Sequence, residues 1–344
     1  MKVRRAREVA AEWAAEQVAR DGALVGAFLS GSVLWLDDDA DLPATSDVDV
    51  TVVTEGEQAL PVAGKFPRDG VLLEATPLPW AELVPAERVL STYYLAGSFH
   101  RPRILADRDG RLAALRDAVA PRYPRRPWVL RRCASAERRI TDGLDAHDPA
   151  SPWPRQVISW LFPTGVTTHV LLTAGLRNPT VRLRYCAVRD LLTGLGRPDV
   201  HEELLELLGC RELTPDRAEH HLRAVEEVFE ATVPVAGRGT PFPFGSDITA
   251  AARPVAIDGS RELIERGLHR EAAFWITATY ARCLTILHRD APDRHDALAP
   301  GFAGLLADLG IDSRADLLRR AGETRAFLRR LAREVAAATP EVRD

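Results

Sequence analysis

The first 120 residues alternate between helical and strand patterns of apolar positions. Residues 8–20 have the helical period, with Val9, Trp13 and Val18 on one side. Short apolar or alternating runs, most of them bounded by turn-forming residues, are typical of strands. The pattern predicts strands over 24–29, 47–53, 71–76 and 104–107, and further helices over 80–94 and 112–119. The N-terminal part of the chain therefore combines strands with helices.

The remainder of the chain is predicted to be helical. The segment from Pro121 to Pro127 holds three prolines in seven residues and cannot continue a helix, so we place a domain boundary there, between 1–122 and 128–344. Helical periods predict helices over 129–146, 154–176, 180–195, 199–209, 214–232, 260–268, 270–288 and 312–338. The gap over 233–259 is rich in Pro and Gly, and loops of that length inside a domain are usually functional or mobile.

Composition limits the partners and the setting of the protein. The 344 residues have a net charge of −4, and all of the 45 basic residues except Lys2 and Lys65 are arginines. Without a basic excess, the chain is a poor candidate for nucleic-acid binding. No apolar run reaches the roughly 18 residues that span a membrane, so we expect no membrane partner. Four cysteines without metal-ligand spacing indicate reduced thiols in a cytoplasmic protein, which we expect to be a monomer or a homodimer.

Three carboxylates are placed by strand periodicity where they can meet. Asp47 and Asp49 share one face of a predicted strand, about 6.5–7 Å apart along the chain, while the valines between and after them point into the core. Glu74 lies in a neighbouring strand whose alternation allows it to face the same side. Carboxylates held this close repel one another unless cations lie between them, and Mg²⁺ commonly takes carboxylates together with substrate phosphates. The pattern predicts a metal site of Asp47, Asp49 and Glu74.

A turn at Gly31-Ser32 follows the first predicted strand. Its glycine lets backbone N–H groups approach a phosphate closely, and the Ser32 hydroxyl adds one more donor. A helix beginning here would favour an anion at its N-terminus as well. Gly31 and Ser32 are therefore candidate phosphate-binding residues, and Ser46, which immediately precedes Asp47, is a further candidate.

These residues resemble the nucleotidyltransferase superfamily typified by DNA polymerase β. Its signature of a hydrophobic residue, Gly-Ser, Asp-hydrophobic-Asp-hydrophobic and a later carboxylate is similar to Leu29-Ser30-Gly31-Ser32, Asp47-Val48-Asp49-Val50 and Glu74. The chain looks most like the aminoglycoside nucleotidyltransferases of the streptomycin/spectinomycin type, on Leu73-Glu74-Ala75-Thr76 with Trp80 and on 104–112. The resemblance implies an α+β fold: a mixed sheet with flanking helices, followed by an all-helical domain that binds the acceptor.

The same resemblance implies an activity. A nucleoside triphosphate, ATP by analogy, would bind with two Mg²⁺ ions, and its NMP would be transferred to a hydroxyl of a small molecule such as an aminoglycoside. Pyrophosphate would be released, and the reaction would modify an antibiotic or another natural product. Asp47, Asp49 and Glu74 would be both metal ligands and catalytic residues, with Glu74 helping to deprotonate the acceptor. The acidic insertion Asp37–Asp41 suits a cationic acceptor; the alternative is a loop of aspartates that are only solvated.

A second group of candidates lies in the predicted helical domain. Asn178-Pro179 should break a helix there, and neighbouring arginines could meet a triphosphate; the alternative is a helix corner with solvated arginines. The candidates are Arg177, Asn178, Arg182 and Arg184.

Two other functions stay open at this point: nucleotidylation of a protein or RNA, and a non-catalytic nucleotide-binding regulator. The absent basic excess weighs against RNA, and the full set of three carboxylates weighs against a regulator.

Overall fold

A five-stranded mixed sheet organises the N-terminal part of the chain. The computed structural model describes residues 1–57, 60, 63–101, 103–237 and 242–338. The strands are β1 (Leu24–Leu29), β2 (Val48–Thr54), β3 (Gly64–Arg68), β4 (Val71–Pro79) and β5 (Ile104–Asp107). Their order in the sheet is β3-β4-β2-β1-β5, with β2 and β4 parallel and the other neighbours antiparallel. With the helical region that follows, this confirms the predicted α+β class.

The two faces of the sheet are covered by different helices. Helix α1 (Val3–Arg20) packs on one face, against alternate residues of the strands that include Val48, Val50 and Val52. The opposite face, which carries Val53, packs against residues of α2 (Ala86–Ser91), α3 (Ala96–His100) and α4 (Arg111–Val119). Because side chains alternate along a strand, Asp49 lies on this second face, as the sequence pattern predicts.

The predicted strands correspond to β1, β2, β4 and β5, but two features of this region differ from the prediction. Strand β3 is not predicted, since it holds Pro67, which cannot donate to a ladder; the strand lies at the edge of the sheet, where proline is tolerated. The single helix predicted over 80–94 is wrong. A 3₁₀ turn at Trp80–Glu82 and helix α2 take its place, separated by Pro85, which has no N–H to continue a helix.

The acidic insertion after β1 is bound to the start of α1. Asp38 pairs with Arg7, Asp39 lies 2.6 Å from Arg4, and Asp41 lies 2.8 Å from Lys2. Three aspartates of the insertion thus have ion-pair partners within the chain, and the suitability of the insertion for a cationic acceptor stays a prediction.

Arg7 has a further role in holding this segment. Its side chain is only 6% exposed, and its guanidinium donates to the backbone carbonyls of Val33 and Leu36 as well as pairing with Asp38. These acceptors lie in the segment that directly follows Gly31-Ser32. Arg7 therefore fixes the position of residues 33–38, which follow the Gly31-Ser32 turn.

The rest of the described chain is helical. Its helices are α5 (Arg126–Asp145), α6 (Trp153–Ala174), α7 (Arg184–Gly194), α8 (Pro198–Leu208), α9 (Pro215–Thr232), α10 (Gly259–Glu265), α11 (His269–Asp290), α12 (Pro292–Asp308) and α13 (Arg314–Ala338). Helix α12 is absent from the prediction because Pro300 and neighbouring glycines interrupt its apolar period. The described residues form two compact units, 1–135 with 176–180 and 136–175 with 181–338. The division falls inside α5, and not within the proline-rich segment over 121–127.

The long gap predicted over 233–259 is not structureless where it is described. Residues 238–241 lie outside the described part of the chain. Beyond them come 3₁₀ turns at Gly245–Asp247 and Ala250–Ala252 and a π-helical turn at Pro254–Asp258. Arg282 of α11 lies 2.8 Å from Asp247 and ties this segment to the helical unit.

Helix α6 is long and apolar enough to cross a membrane by length and composition, with a mean hydropathy of 1.3 over the best window. Within the structure, 83% of that window is buried. A helix that is apolar on all sides and buried is typical of the core of a large unit.

Replacing Arg7 by Met should destabilise the sheet unit. The part-buried carbonyl of Leu36 loses its Arg7 donor, and the carbonyl of Val33 keeps only the 3.4 Å bond from the Leu36 amide, so we expect a cost of about 1–3 kcal/mol. Thermal unfolding measures this as a lower midpoint. Arg4→Met is the matched control, because its pair with Asp39 is solvent-exposed and such pairs contribute little. Equal midpoints for the two variants would contradict the role of Arg7.

Candidate metal centre

Three carboxylates meet on the second face of the sheet. Parallel pairing of β2 and β4 sets Asp49 directly beside Glu74. Asp47 lies immediately before β2, two residues from Asp49. One carboxylate oxygen from each of the three residues lies within 4.8 Å of the others, and all three residues are half-buried. The structure therefore brings the predicted triad together, and the triad can hold a metal ion.

Burial and mutual repulsion together disfavour the ionised form of Asp49 in the triad. Burial, followed by the negative charges of Asp47 and Glu74, raises the pKa of Asp49 well above its usual value. An ionised Asp49 therefore costs free energy in the folded chain. A divalent cation between the oxygens would remove that cost. The donor set consists of carboxylate oxygens alone, which suits a hard cation and not a thiolate-preferring one.

The turn after β1 is built against this carboxylate. Gly31 has a φ of +66°, and a Cβ placed there would lie 1.7 Å from Oδ2 of Asp49. The amide of Ser30 donates to the carbonyl of Asp49 at 3.0 Å, and the hydroxyls of Ser30 and Thr51 are 3.1 Å apart. Glycine is thus required both by the backbone conformation and by the space available. The turn and the triad form one continuous structure.

Ser32 and Ser46 flank these groups in the chain. Both are half-buried. Ser32 precedes a single 3₁₀ turn, Val33–Trp35, which is much shorter than an α-helix that would bring a macrodipole to the site. The amide of Ser46 donates to the carbonyl of Pro43 at 3.0 Å. Their contact with a nucleotide stays a prediction.

Lys65 belongs to the site although the sequence pattern does not predict it. Antiparallel pairing of β3 and β4 sets Lys65 beside Glu74, so Asp49, Glu74 and Lys65 form one row across three strands. The Lys65 ammonium lies 2.6 Å from Oδ2 of Asp47 and also contacts the carboxylate of Glu74. Its side chain is 5% exposed. One signal was available in the sequence: Lys65 is one of two lysines among 45 basic residues.

Two of the candidates beyond the sheet lie in the segment 176–180, which belongs to the same compact unit as the sheet. Arg177 is exposed and Asn178 is half-buried. Their contact with a triphosphate stays a prediction.

The other two candidates belong to the helical unit. Arg182 is half-buried beside Gly259. Arg184 is 2% exposed; its Nε donates to the carbonyl of Val181 at 2.6 Å, and its guanidinium lies 4.1 Å from the ring centre of Phe274. Arg184 is therefore held inside the helical unit, and its contact with a triphosphate stays a prediction. A substrate contact for Arg182 stays a prediction.

Comparison with known proteins gives no match for this chain. No family model, curated protein or solved structure matches it. The resemblance to nucleotidyltransferases is therefore carried by the motif residues of this chain and by the meeting of the triad.

Gly31→Ala should disrupt the site by direct collision with Asp49. The clash and the positive φ together are expected to cost about 3 kcal/mol or more. Gly110→Ala is the matched control: its φ is +80°, but a Cβ there meets no atom within 4 Å, so the cost is about 1–2 kcal/mol of backbone strain alone. Urea unfolding compares the two variants, and an equal loss would show that the collision is unimportant.

Asp49→Asn should stabilise the metal-free protein. The neutral amide removes the cost of burying a charge and the repulsion by Asp47 and Glu74, which together raise the pKa of Asp49, so the thermal midpoint in EDTA is expected to equal or exceed that of the unchanged chain. The same variant should lose the increase in midpoint that Mn²⁺ gives, since a ligand is missing. Glu57→Gln, an exposed carboxylate outside the triad, should keep that increase. A Mn²⁺ response retained by Asp49→Asn would contradict the site.

Proposed function

We propose that this protein is a Mg²⁺-dependent nucleotidyltransferase that transfers an NMP from a nucleoside triphosphate to a hydroxyl of a small molecule. ATP is the expected donor, and an aminoglycoside or a similar natural product is the expected acceptor. The observation that carries the proposal is the meeting of Asp47, Asp49 and Glu74 directly beside the Gly31 turn. The glycine turn, the pair Asp47 and Asp49, and Glu74 follow one another in the chain in the same order as in the signature of the nucleotidyltransferase superfamily.

The residues present fit Mg²⁺ and suggest a role for each group. Asp47, Asp49 and Glu74 would hold the metal, which when bound supplies neutralisation of the triphosphate and of the leaving pyrophosphate. The turn at Gly31-Ser32 would present backbone and hydroxyl donors to phosphate oxygens. The acceptor oxygen would form a bond to the α-phosphorus, and Glu74 would take the hydroxyl proton. The bond between the α-phosphorus and the oxygen that bridges to the β-phosphate would break, and pyrophosphate would leave with that oxygen.

Turnover should depend on the triad and on an added acceptor. Each of the four common NTPs is incubated with Mg²⁺, the protein and a panel of aminoglycosides, and pyrophosphate release is measured. Asp49→Asn is expected to lower the rate by at least about 10²–10³-fold, because the charge of the transition state loses its stabilisation. Glu57→Gln, outside the triad, serves as the control that keeps the rate.

The same assay separates the alternatives. Pyrophosphate released without a small acceptor, together with label from the nucleotide on protein or RNA, would favour a macromolecular acceptor. Nucleotide binding with no pyrophosphate under any of these conditions would contradict the proposed activity and favour a regulator.

A further inference from the structure

Lys65 contacts the same carboxylates that a metal ion needs. Its ammonium lies 2.6 Å from Oδ2 of Asp47 and touches Glu74, while the side chain is almost completely enclosed. A cation bridging the triad binds oxygens of these two residues together with Asp49. A dication and an ammonium at such short range repel each other strongly in a partly buried site. The ammonium and the dication therefore cannot both bind these carboxylates tightly at the same time.

We propose that the Lys65 ammonium is a built-in counter-cation of the triad, and that a divalent ion must displace it from Asp47 or Glu74 in order to bind. This inference rests on the proposed metal-dependent function and deepens it. Lys65 is a positioning residue in this account: it holds the carboxylates together before the metal arrives, and the metal takes over that task.

The choice of lysine supports this role. Arginine supplies all the basic residues of the chain except Lys2 and Lys65, so the general preference of this sequence would place arginine at position 65 as well. An ammonium is a compact point charge on a flexible stem, whereas a guanidinium is a planar fork of five donors. A compact, pivoting cation can fit between Asp47 and Glu74 and can swing aside when another ion enters.

Charge balance points the same way. The triad alone carries three potential negative charges, and Lys65 compensates one of them. With Lys65 in contact, two of these charges remain uncompensated before a dication binds. Without Lys65 all three remain, and the triad should attract a dication more strongly.

A merely structural ion pair predicts the opposite result. If Lys65 only fixed the side chains of Asp47 and Glu74 for a metal bound elsewhere among their oxygens, its loss would loosen the ligands and weaken metal binding. The sign of the change in metal affinity therefore distinguishes the two roles.

Lys65→Met is the first test, with Mn²⁺ alone as the probe. We expect the dissociation constant for Mn²⁺, measured by electron paramagnetic resonance of the free ion, to fall by about tenfold because a like charge is removed. The increase in thermal midpoint with Mn²⁺ should be larger than in the unchanged chain. Lys65→Arg keeps the charge and should bind Mn²⁺ no more tightly than the unchanged chain. Lys2→Met, at an exposed pair with Asp41, is the matched control and should change nothing.

The second test needs no substitution, because the chain contains only two lysines. Protein labelled with ¹³C at the lysine Cε gives one signal from Lys2 and one from Lys65. Addition of Mg²⁺ should move the Lys65 signal toward that of a solvated lysine and leave the Lys2 signal in place. This test applies even where Lys65→Met does not fold without metal.

Two results would overturn the displacement of Lys65. One is Mn²⁺ binding by Lys65→Met that is unchanged, weaker or absent; the other is a Lys65 signal that stays fixed while Mg²⁺ saturates the protein. Both tests use metal alone and need no nucleotide. A failure of nucleotide transfer would therefore count against the proposed function without changing the measured metal affinity or the Lys65 signal.

Discussion

The mutual repulsion of three carboxylates is the constraint around which the sheet unit is arranged. The parallel pairing of β2 and β4 forces Asp49 and Glu74 side by side, and the Gly31 turn closes against Asp49 so tightly that no side chain can occupy that position. A folded chain keeps such an arrangement only if other interactions offset its cost. Packing on both faces of the sheet, the contact with Lys65 and the hold of Arg7 on the following segment do so.

Local sequence was sufficient to predict the triad because strand periodicity is local. Alternation in 47–53 and 71–76 fixes which side chains share a face, and strands β2 and β4 cover these residues except Asp47, which immediately precedes β2. The same reasoning could not find Lys65, since β3 holds a proline and is defined by its pairing with β4 and not by an apolar pattern of its own.

Interactions between distant parts of the chain are what a local pattern cannot predict. Asp38 and Asp39 of the acidic insertion pair with Arg7 and Arg4 of α1, more than thirty residues earlier, and Arg184 is buried beside Phe274, ninety residues later. Such pairings leave no periodic pattern in the sequence.

Proline accounts for two differences between the predicted and the observed helices. Pro85 interrupts the helix predicted over 80–94, whereas Pro300 lies inside α12, which the apolar pattern does not predict.

The most direct test of the account is the position of a bound metal. Crystals grown with Mn²⁺ and a non-hydrolysable nucleoside triphosphate would locate the ion by its anomalous scattering. We predict a peak within about 2.0–2.3 Å of carboxylate oxygens of Asp47, Asp49 and Glu74, with the phosphates beside the Gly31 turn. A saturated crystal with no peak at the triad, or with the nucleotide bound elsewhere, would contradict it.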